Sequence, residues 1–392
     1  MPGTGVETFE RAVIAGFGET TYHKRAEDQL HPVAYMVDAA RRTLEATGIG
    51  CGLIDGLAVS SFLMPPENVC TVGEHLGLQL NWTMHGSQGG ATSLVQVMRA
   101  AEAVERGAAA AVLVLAGDSF SVQTHAALMD RFNPPLRDYV APFGFGGPNG
   151  LFALIQRRHM HEFGTRVEQL GKIAVTQRRH AMLNENALLR DELDIEGYLN
   201  ARKIADPLRL YDCVMPCGGG GGLLVTTREL ASRSGLPALR LLAGGERTNH
   251  DPAAPLMLEG GWAAHAAEVF RRAGKSHSDI DFIQAYDDYP IVVAMQLEDL
   301  GFCGKGEGGS FVESTDLSIH GTLPLNTGGG QLSCGQAGAA GGMLGLVEAV
   351  RQLQGQGGRR QILDAKVGLV SMIGMVGYGR GLATGVLILE RE

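Results

Sequence analysis

Two stretches of this chain follow the same plan, and this internal repeat constrains the fold more than any other feature. The stretch GGATSLVQVMRAAEAVERG begins at Gly89 and is followed by an apolar strand pattern at 109–116. The stretch GAAGGMLGLVEAVRQLQG begins at Gly338 and is followed by a second strand pattern at 367–371. A repeated unit of this kind predicts two similar halves that bury their apolar faces against each other. We therefore expect two glycine-led helices near the centre of the fold.

The rest of the chain alternates short strand patterns with helical patterns, which is typical of an α/β fold with a mostly parallel sheet. Five consecutive glycines at 218–222 lead into a strand pattern at 223–226. These glycines favour close packing against another backbone; a phosphate-binding loop is the alternative, although the Lys-Ser/Thr ending of a P-loop is missing. The sequence predicts strands at 11–15, 54–60, 239–243 and 281–285, and helices at 32–47, 90–106, 262–273 and 290–300.

The segment 119–210 interrupts this alternation. It contains FNPPLRDYVAPFGFGGPNG, which is dense in proline and glycine, followed by helical patterns at 151–163 and 167–183. Long insertions of this kind usually have a binding role. We expect an inserted loop domain at 119–210, a first half formed by 1–118 with 211–236, and a second half at 237–392.

Composition excludes several classes of function. The net charge of −9, with no basic run, argues against a nucleic-acid surface. We expect neither a membrane span nor a signal peptide, because no apolar stretch has the required length and the N-terminus lacks the signal pattern. Six cysteines in a chain of 392 residues are typical of reduced thiols, so we expect a cytoplasmic protein without a disulfide framework. The sequence predicts no metal site and no nicotinamide or flavin site.

One polar tetrapeptide lies where a ligand site is expected. The residues Tyr286, Asp287, Asp288 and Tyr289 separate the strand pattern ending at Ala285 from the following helix. In open α/β sheets, ligands bind at such strand ends. Two phenols and two carboxylates are costly to bury unless they bond to something, so the tetrapeptide is a candidate functional site.

These features resemble the thiolase superfamily, and within it the sterol-carrier-protein-type thiolases and the related steroid side-chain aldolases. The stretches that carry the resemblance are YDDYPIVVAMQLEDLGFCGKGEGGSFVE at 286–313, LPLNTGGGQLS at 323–333 and GGMLGLVEAVRQLQG at 341–355. RRHMHEFG at 157–164 and DPLRLYDC at 206–213 also look like this family. The resemblance implies a five-layered αβαβα sandwich of two duplicated halves with a loop domain, and acyl-coenzyme A thioesters as substrates.

When the catalytic positions of a thiolase are transferred to this chain one at a time, the residues found there cannot perform thiolase chemistry. The nucleophilic cysteine corresponds to Gly90, the histidine base to Gln336, the second cysteine to Met372 and the fourth position to Tyr286. A glycine cannot form an acyl-enzyme, and a glutamine cannot act as a proton-transfer base at neutral pH. The resemblance therefore excludes Claisen chemistry with the usual residues.

An aldol cleavage needs an enolate but no covalent nucleophile, and the resemblance implies this reaction, with Tyr286 as the catalytic tyrosine. The second acid or base is open, because Gln336 occupies the usual position; Tyr378, Tyr289 and His85 are the candidates. Glycine-rich backbone N–H groups are expected to stabilise the enolate oxygen. The positions expected around the substrate or its enolate are Gly90, Asp287, Tyr289, Asn326, Gly329, Cys334 and Gly377.

An unperturbed phenol has a pKa of about 10, and adjacent carboxylates would raise the pKa of Tyr286 further. Either the carboxylates point away, or the oxyanion donors or a cation such as Lys305 or Arg380 lower it. Three functions remain open: a lyase acting on a bulky, steroid-like β-hydroxyacyl-CoA, an acyltransferase that uses a displaced thiol at Cys334, and a non-catalytic acyl-CoA-binding protein.

The resemblance also implies partners. We expect a two-fold homodimer and a separate small protein with an oligonucleotide/oligosaccharide-binding (OB) fold and a zinc ribbon, which together form a heterotetramer. No cofactor is expected apart from the coenzyme A of the substrate.

Overall fold

The computed structural model describes residues 5–64, 68–124, 134–144 and 147–392. The first half contains β1 Val6–Glu7, β2 Ala12–Glu19, α1 Pro32–Thr47, β3 Gly56–Ser60, α2 Asn68–Leu76, β4 Trp82–His85, α3 Thr92–Glu105 and β5 Ala111–Ser119. The insertion contains α4 Pro134–Tyr139, α5 Gly147–Phe163, α6 Val167–Ala181, α7 Ile195–Asn200, β6 Lys203–Ala205 and β7 Leu208–Arg209. The remainder contains β8 Gly218–Thr227, α8 Arg228–Ala231, β9 Leu239–Thr248, α9 Ala266–Ala273, β10 Phe282–Ala285, α10 Pro290–Asp299, α11 Gly308–Ser314, α12 Gly330–Cys334, α13 Gly341–Leu353, β11 Val367–Gly377 and β12 Arg380–Arg391.

The main sheet has the strand order β10-β11-β12-β9-β2-β8-β5-β3-β4, with β1 paired to β9. Its two halves meet where Val13 and Ile14 of β2 pair with Arg240 and Leu239 of β9. In the first half β3 is parallel to β5, and β5 is antiparallel to β8. In the second half β10 is parallel to β11, and β11 is antiparallel to β12. The two halves therefore have the same connectivity, which confirms the predicted duplication.

The two glycine-led helices form the central layer. Helix α3 contacts β5 and β8 of its own half and β12 of the other, and α13 contacts β11 together with β2 and β8. The helix starts approach so closely that a Cβ atom on Gly342 would overlap the carbonyl of Gly90. Helices α1 and α2 cover the outer face of one half, and α9 covers the other. This order of layers agrees with the expected αβαβα sandwich.

The five-glycine stretch is part of a strand and not a loop, because all five residues lie within β8 and pair with β5. Their missing side chains make room for neighbours: a Cβ at Gly220 would lie 2.7 Å from the carbonyl oxygen of Ala116, and one at Gly222 2.6 Å from Leu115. Close packing is thus confirmed, but most of the neighbours are side chains. The alternative of a phosphate-binding loop is wrong, because paired strand backbone cannot wrap around a phosphate.

The insertion lies between β5 and β8 in the chain. Its helix α6 packs against α10, α11 and α12 of the second half, close to the candidate site. Residues 125–133 and 145–146, which include part of the predicted proline- and glycine-rich loop, lie outside the described residues. The predicted domain boundaries stay a prediction. Across the described ranges, no helix combines the length and the hydropathy that a membrane span requires.

Candidate active site

Tyr286 is the first residue after β10, and its backbone is held on both sides. Its N–H donates to the carbonyl of Ser371 on β11 (2.9 Å), and its carbonyl accepts from Nε2 of Gln296 on α10 (2.7 Å). The side chain is 5% exposed. The strand end, as predicted from the sequence, therefore directs a phenol into the interior of the protein.

The Tyr286 ring occupies the space above Gly90, in the short 3-10 turn Gly89–Ala91 that precedes α3. A Cβ atom built on Gly90 would overlap the phenol ring and its oxygen. The position that would carry a thiolase nucleophile is thus filled by an aromatic ring from the other half of the chain. The structure supports the conclusion that no residue at this position attacks a thioester.

A cavity of about 70 Å³ adjoins the phenol. One wall is formed by the Gly89–Ala91 turn, and another by the β11 residues 373–376, which include Met375 at a φ of 54°. The remaining wall is mainly aromatic. The side chains and backbone around the cavity belong to Phe62, Gly89, Gly90, Phe120, Pro148, Phe152, Tyr286, Asp288, Gln336, Ile373, Gly374, Met375 and Val376.

Three polar side chains meet in this cavity: Tyr286, Asp288 and Gln336. Burial, followed by the charge of Asp288, raises the pKa of the Tyr286 phenol well above its ordinary value, whereas a hydrogen bond with the Gln336 side chain lowers it. Burial and then the charge of Asp287 raise the pKa of Asp288 to about 7, although a hydrogen bond with Tyr286 lowers it. The phenol therefore stays protonated at neutral pH, while the carboxyl group titrates there.

Asp288 and Gln336 each have a hydrogen-bond acceptor that a bound ligand could use. Oδ1 of Asp288 and Oε1 of Gln336 are buried atoms with no hydrogen-bond partner among the described residues. Because Asp288 and Gln336 both line the cavity, these acceptors are open to a bound ligand. A substrate hydroxyl could donate to either of them.

Asp288 belonged to the tetrapeptide predicted as a candidate site, but no role of its own was predicted for it beyond raising the pKa of Tyr286. Its position next to Asp287 could have identified it. Side chains of adjacent residues point in different directions, so only one of the two carboxylates can enter the cavity together with Tyr286. Near-neutral pKa values at cavity carboxylates are typical of general bases.

Asp287 has a structural contact instead of the expected place at the substrate. Its Oδ1 accepts from the N–H of Gln331 (2.9 Å) and its Oδ2 from that of Leu332 (3.1 Å), so it caps the start of α12. Burial raises the pKa of Asp287 to about 6 against the two backbone donors, which lower it. These N–H groups of the glycine turn are thus occupied and do not face a substrate.

Asn326 also differs from its expected role as an oxyanion donor. Its Oδ1 accepts from the N–H of Ala285 (2.8 Å), and its Nδ2 donates to the carbonyl of the same residue (2.9 Å). The amide therefore extends the edge of β10 and fixes the residue before Tyr286. We correct the expected role to one of positioning.

The candidates for a second acid or base lie apart from the cavity lining. Tyr289 donates to Oδ1 of Asn149 (2.6 Å) and stacks on Phe152, so its contacts join α10 to the insertion. Tyr378 is 59% exposed at the tip of the β11–β12 hairpin, and His85 is exposed at the end of β4, with Nε2 2.7 Å from Nδ2 of Asn68. None of the three is among the residues that line the cavity beside the phenol of Tyr286.

The remaining predicted residues have packing contacts. Cys334 is fully buried, its thiol donates to the carbonyl of Gly328 (3.1 Å), and burial raises the pKa of Cys334 well above the ordinary value. A Cβ at Gly329 would lie 2.7 Å from Ala181 on α6, and Gly377 ends β11 by pairing with Arg380.

The two expected cations have other partners. Lys305 pairs with Glu298 (3.1 Å) and Asp299 (2.8 Å), and Arg380 lies over the Tyr378 ring at 5.9 Å. The influence that lowers the pKa of the Tyr286 phenol is a hydrogen bond with the Gln336 side chain, which the sequence did not suggest. In the described ranges, no group of three or more histidine, cysteine or acidic residues could bind a metal ion.

Comparisons with known proteins agree with this geometry. A family model described as "Thiolase C-terminal domain-like" matches residues 243–391. A steroid side-chain-cleaving aldolase from Thermomonospora curvata is 30% identical over 366 residues, which cover 88% of this chain and 90% of that protein. A 17-hydroxy-3-oxo-4-pregnene-20-carboxyl-CoA lyase from Mycobacterium tuberculosis is 30% identical over 368 residues, which cover 88% and 92%.

Solved structures give the same result. The Ltp2-ChsH2(DUF35) aldolase superposes with a TM-score of 0.83 and 28% identity, covering 97% of this chain and 98% of that one. A monomeric SCP2-thiolase-like protein type 1 from Mycobacterium smegmatis shares the fold, with a TM-score of 0.74, 18% identity and coverage of 97% and 77%. The chain therefore belongs to the thiolase superfamily, in the branch of the steroid side-chain-cleaving aldolases, and has the five-layered thiolase fold.

Proposed function

We propose that the protein is a carbon–carbon lyase that cleaves a β-hydroxyacyl-CoA by a retro-aldol reaction. The observation that carries the proposal is the replacement at the cavity: the Tyr286 ring fills the site of the nucleophile, and Asp288 supplies a carboxyl group with a pKa of about 7 beside it. This arrangement can transfer protons but cannot form an acyl-enzyme.

The reaction begins with the β-hydroxyl group of the substrate. The Asp288 carboxylate accepts its proton, the new C=O bond forms, and the Cα–Cβ bond breaks, so that its electron pair enters the thioester as an enolate. The Tyr286 hydroxyl group donates a proton to Cα, and Asp288 returns the first proton to Tyr286. The products are a ketone or aldehyde and a shortened acyl-CoA, with no net gain or loss of protons.

The other cavity groups assist these two. The Gln336 side chain lines the same cavity as the phenol, and we assign it the role of orienting the Tyr286 hydroxyl group. The turn at Gly89–Ala91 begins a helix, and the first N–H groups of a helix have no partner within it. They are therefore suited to stabilise the enolate oxygen, as the donors of an oxyanion hole do.

We propose a bulky, steroid-like acyl group as the substrate class. The name of the Mycobacterium tuberculosis relative describes a steroid carboxyl-CoA with a hydroxyl group, and the aromatic cavity wall here suits an apolar ring system. The chemistry needs no cofactor apart from the coenzyme A of the substrate. All six cysteines are free thiols, which favours a reducing compartment, and we propose the cytoplasm.

The test is incubation with a panel of β-hydroxyacyl-CoAs that differ in the bulk of the β-substituent, with the released ketone or aldehyde and the shortened acyl-CoA measured by mass spectrometry. We expect equal amounts of the two products. Tight binding of acyl-CoA without turnover across the panel would instead support the non-catalytic alternative. The acyltransferase alternative has less support, since the Cys334 thiol is buried away from the cavity lining.

We also propose a homodimer that binds a small partner protein with an OB fold and a zinc ribbon, giving a heterotetramer. The Ltp2-ChsH2(DUF35) aldolase pairs two proteins by name, and β4 is the last strand of the sheet here, with an edge available for pairing. Coexpression with the partner should raise solubility and turnover, and native mass spectrometry should give a 2:2 complex. Full turnover by the purified chain alone, as a monomer, would contradict this assembly.

A further inference from the structure

Asp118 is a buried carboxylate that the chemistry above does not use. It is the second-last residue of β5 and is 0% exposed. Its Oδ1 accepts from the hydroxyl of Ser61 (2.6 Å) and the N–H of Leu63 (3.2 Å). Its Oδ2 accepts from the N–H groups of Phe62 (3.0 Å) and Ala339 (2.8 Å). Four donors from two separate segments therefore converge on one carboxylate.

Both segments lead directly to the cavity. The first segment carries Phe62, whose side chain lines the wall and lies 6.3 Å from the ring of Phe120. The second begins the turn Gly338–Ala340, two residues after Gln336. The Gln336 backbone N–H donates to the carbonyl of Met215 (2.8 Å), and its carbonyl accepts from the N–H of Cys217 (3.1 Å). The hydrogen bond to Asp118 then holds the chain just after Gln336.

The chain makes room for this contact. Gly338 has a φ of 54°, and a Cβ atom there would overlap Oδ2 of Asp118. A glycine is needed both for the left-handed backbone and for the close approach of the carboxylate. The contact thus requires a glycine at position 338.

We infer that Asp118 is a positioning residue for the proposed lyase: it joins the Phe62 wall to the Gln336 turn and so keeps the Gln336 side chain in the cavity that the Tyr286 phenol also lines. This inference rests on the proposed function. Asp118 touches neither Tyr286 nor the cavity in the structure, so its effect on turnover is transmitted through Gln336.

The experiment uses Asp118→Asn, which keeps the shape but replaces one acceptor by a donor that faces backbone N–H groups. We expect kcat to fall about tenfold and KM to change by less than about threefold, because the proton-transfer group is disturbed more than the binding surface. In a Gln336→Ala background, Asp118→Asn should lower kcat by less than about twofold further, since residues that act through one contact are not additive.

Asp212→Asn is the matched control. Asp212 is also 0% exposed, accepts from the hydroxyl of Tyr198 (2.5 Å) and the N–H of Arg209 (2.7 Å), and has a pKa raised by burial to about 6, as Asp118 does. It lies outside the cavity lining, so its substitution should lower the thermal midpoint while leaving kcat within about twofold.

If Asp118→Asn does not fold, Ser61→Ala removes one of the four donors and should lower kcat about threefold, again without effect in the Gln336→Ala background. The inference is overturned by an unchanged kcat in the folded Asp118 variant, by equal losses in Asp212→Asn, or by full additivity with Gln336→Ala. Absence of turnover by the unaltered protein on every β-hydroxyacyl-CoA would refute the proposed function instead, so the two failures are distinguishable.

Discussion

The ends of β3 and β10 are equivalent positions in the duplicated halves, but the titratable side chains that line the described cavity follow β10. After β3, the polar residue Ser61 donates to Asp118 on the adjacent β5, and the pair is closed off within the protein. After β10, Tyr286 and Asp288 face a cavity, and Oδ1 of Asp288 has no partner in the described part of the chain. The repeat gives both halves the same backbone arrangement. Whether a strand end can take part in a reaction depends on whether its polar side chains pair with each other or face the cavity.

The largest effect is expected when the hydroxyl oxygen of Tyr286, at the end of β10, is removed. Tyr286→Phe should lower kcat by at least about a hundredfold, the usual scale for a general acid or base, while the fold and the oligomeric state are kept. Steady-state turnover measures the fall in kcat, and circular dichroism tests whether the fold is kept. Tyr198→Phe is the control, because it removes another buried hydroxyl, which donates to Asp212 outside the cavity. Near-normal turnover by Tyr286→Phe would remove the catalytic distinction between the strand ends.

The second prediction concerns the pH dependence of the β10 end. Because Asp288 must be ionised to accept a proton and its pKa is about 7, kcat/KM should fall about tenfold per pH unit below that value. Asp288→Asn should lower kcat/KM at pH 8 by roughly ten- to a hundredfold and abolish this acidic limb. A limb that persists unchanged in the variant would assign it to another group.

The same carboxyl group has a consequence for stability. Its folded-state pKa lies above the ordinary value of 3.8, so its favourable contribution is fully present below pH 4 and is lost as the pH rises through 7. Asp288→Asn should therefore gain about 4 kcal/mol in unfolding free energy relative to the unaltered chain between pH 4 and pH 8. Urea titrations at the two pH values test this, and a constant difference would contradict the raised pKa.

A third prediction tests the contact between the halves. Gly90→Cys should not acquire thiolase activity, because the histidine base and the second cysteine are also missing and such groups act as a unit. The added side chain meets the Tyr286 ring, so stability should fall by about 1 to 3 kcal/mol and lyase turnover should fall with it. Gly90→Ala should show the same losses without a thiol. Robust acetoacetyl-CoA cleavage by Gly90→Cys would show that Gln336 and Met372 are misassigned.

The smallest effect is expected at the buried thiol. Cys334→Ala should keep kcat within about twofold and lose roughly 1 kcal/mol of stability with its bond to Gly328. Alkylation of accessible thiols should likewise leave the lyase active. Loss of turnover in both experiments would restore the acyltransferase alternative.

The sequence alone determined the elements whose signals are local. The helix at 32–47 was predicted with its observed limits, because an apolar stripe lies between a proline at the first turn and Gly48, whose φ is 65°. The position of Tyr286 at a strand end was also predicted, since it depends on residues close together in the chain. The duplication was predicted because each copy has its own local pattern, although the copies begin far apart, at Gly89 and Gly338. Strand β12 was not predicted, and β8 was predicted only from residue 223 onwards, because the five preceding glycines have no side-chain pattern to read.

Only the tertiary structure decided which of the candidate residues meet at the cavity. Gly90 and Tyr286 are distant in the chain, and their contact appears when the halves pack together. Whether an amide such as Asn326 faces a substrate or binds its own strand depends on neighbours that no local pattern specifies. The pKa of Asp288 depends on burial and on the charge of Asp287, and both depend on distances in three dimensions. Local periodicity thus reveals which segments form the layers, whereas the chemistry depends on contacts that exist only after the layers are assembled.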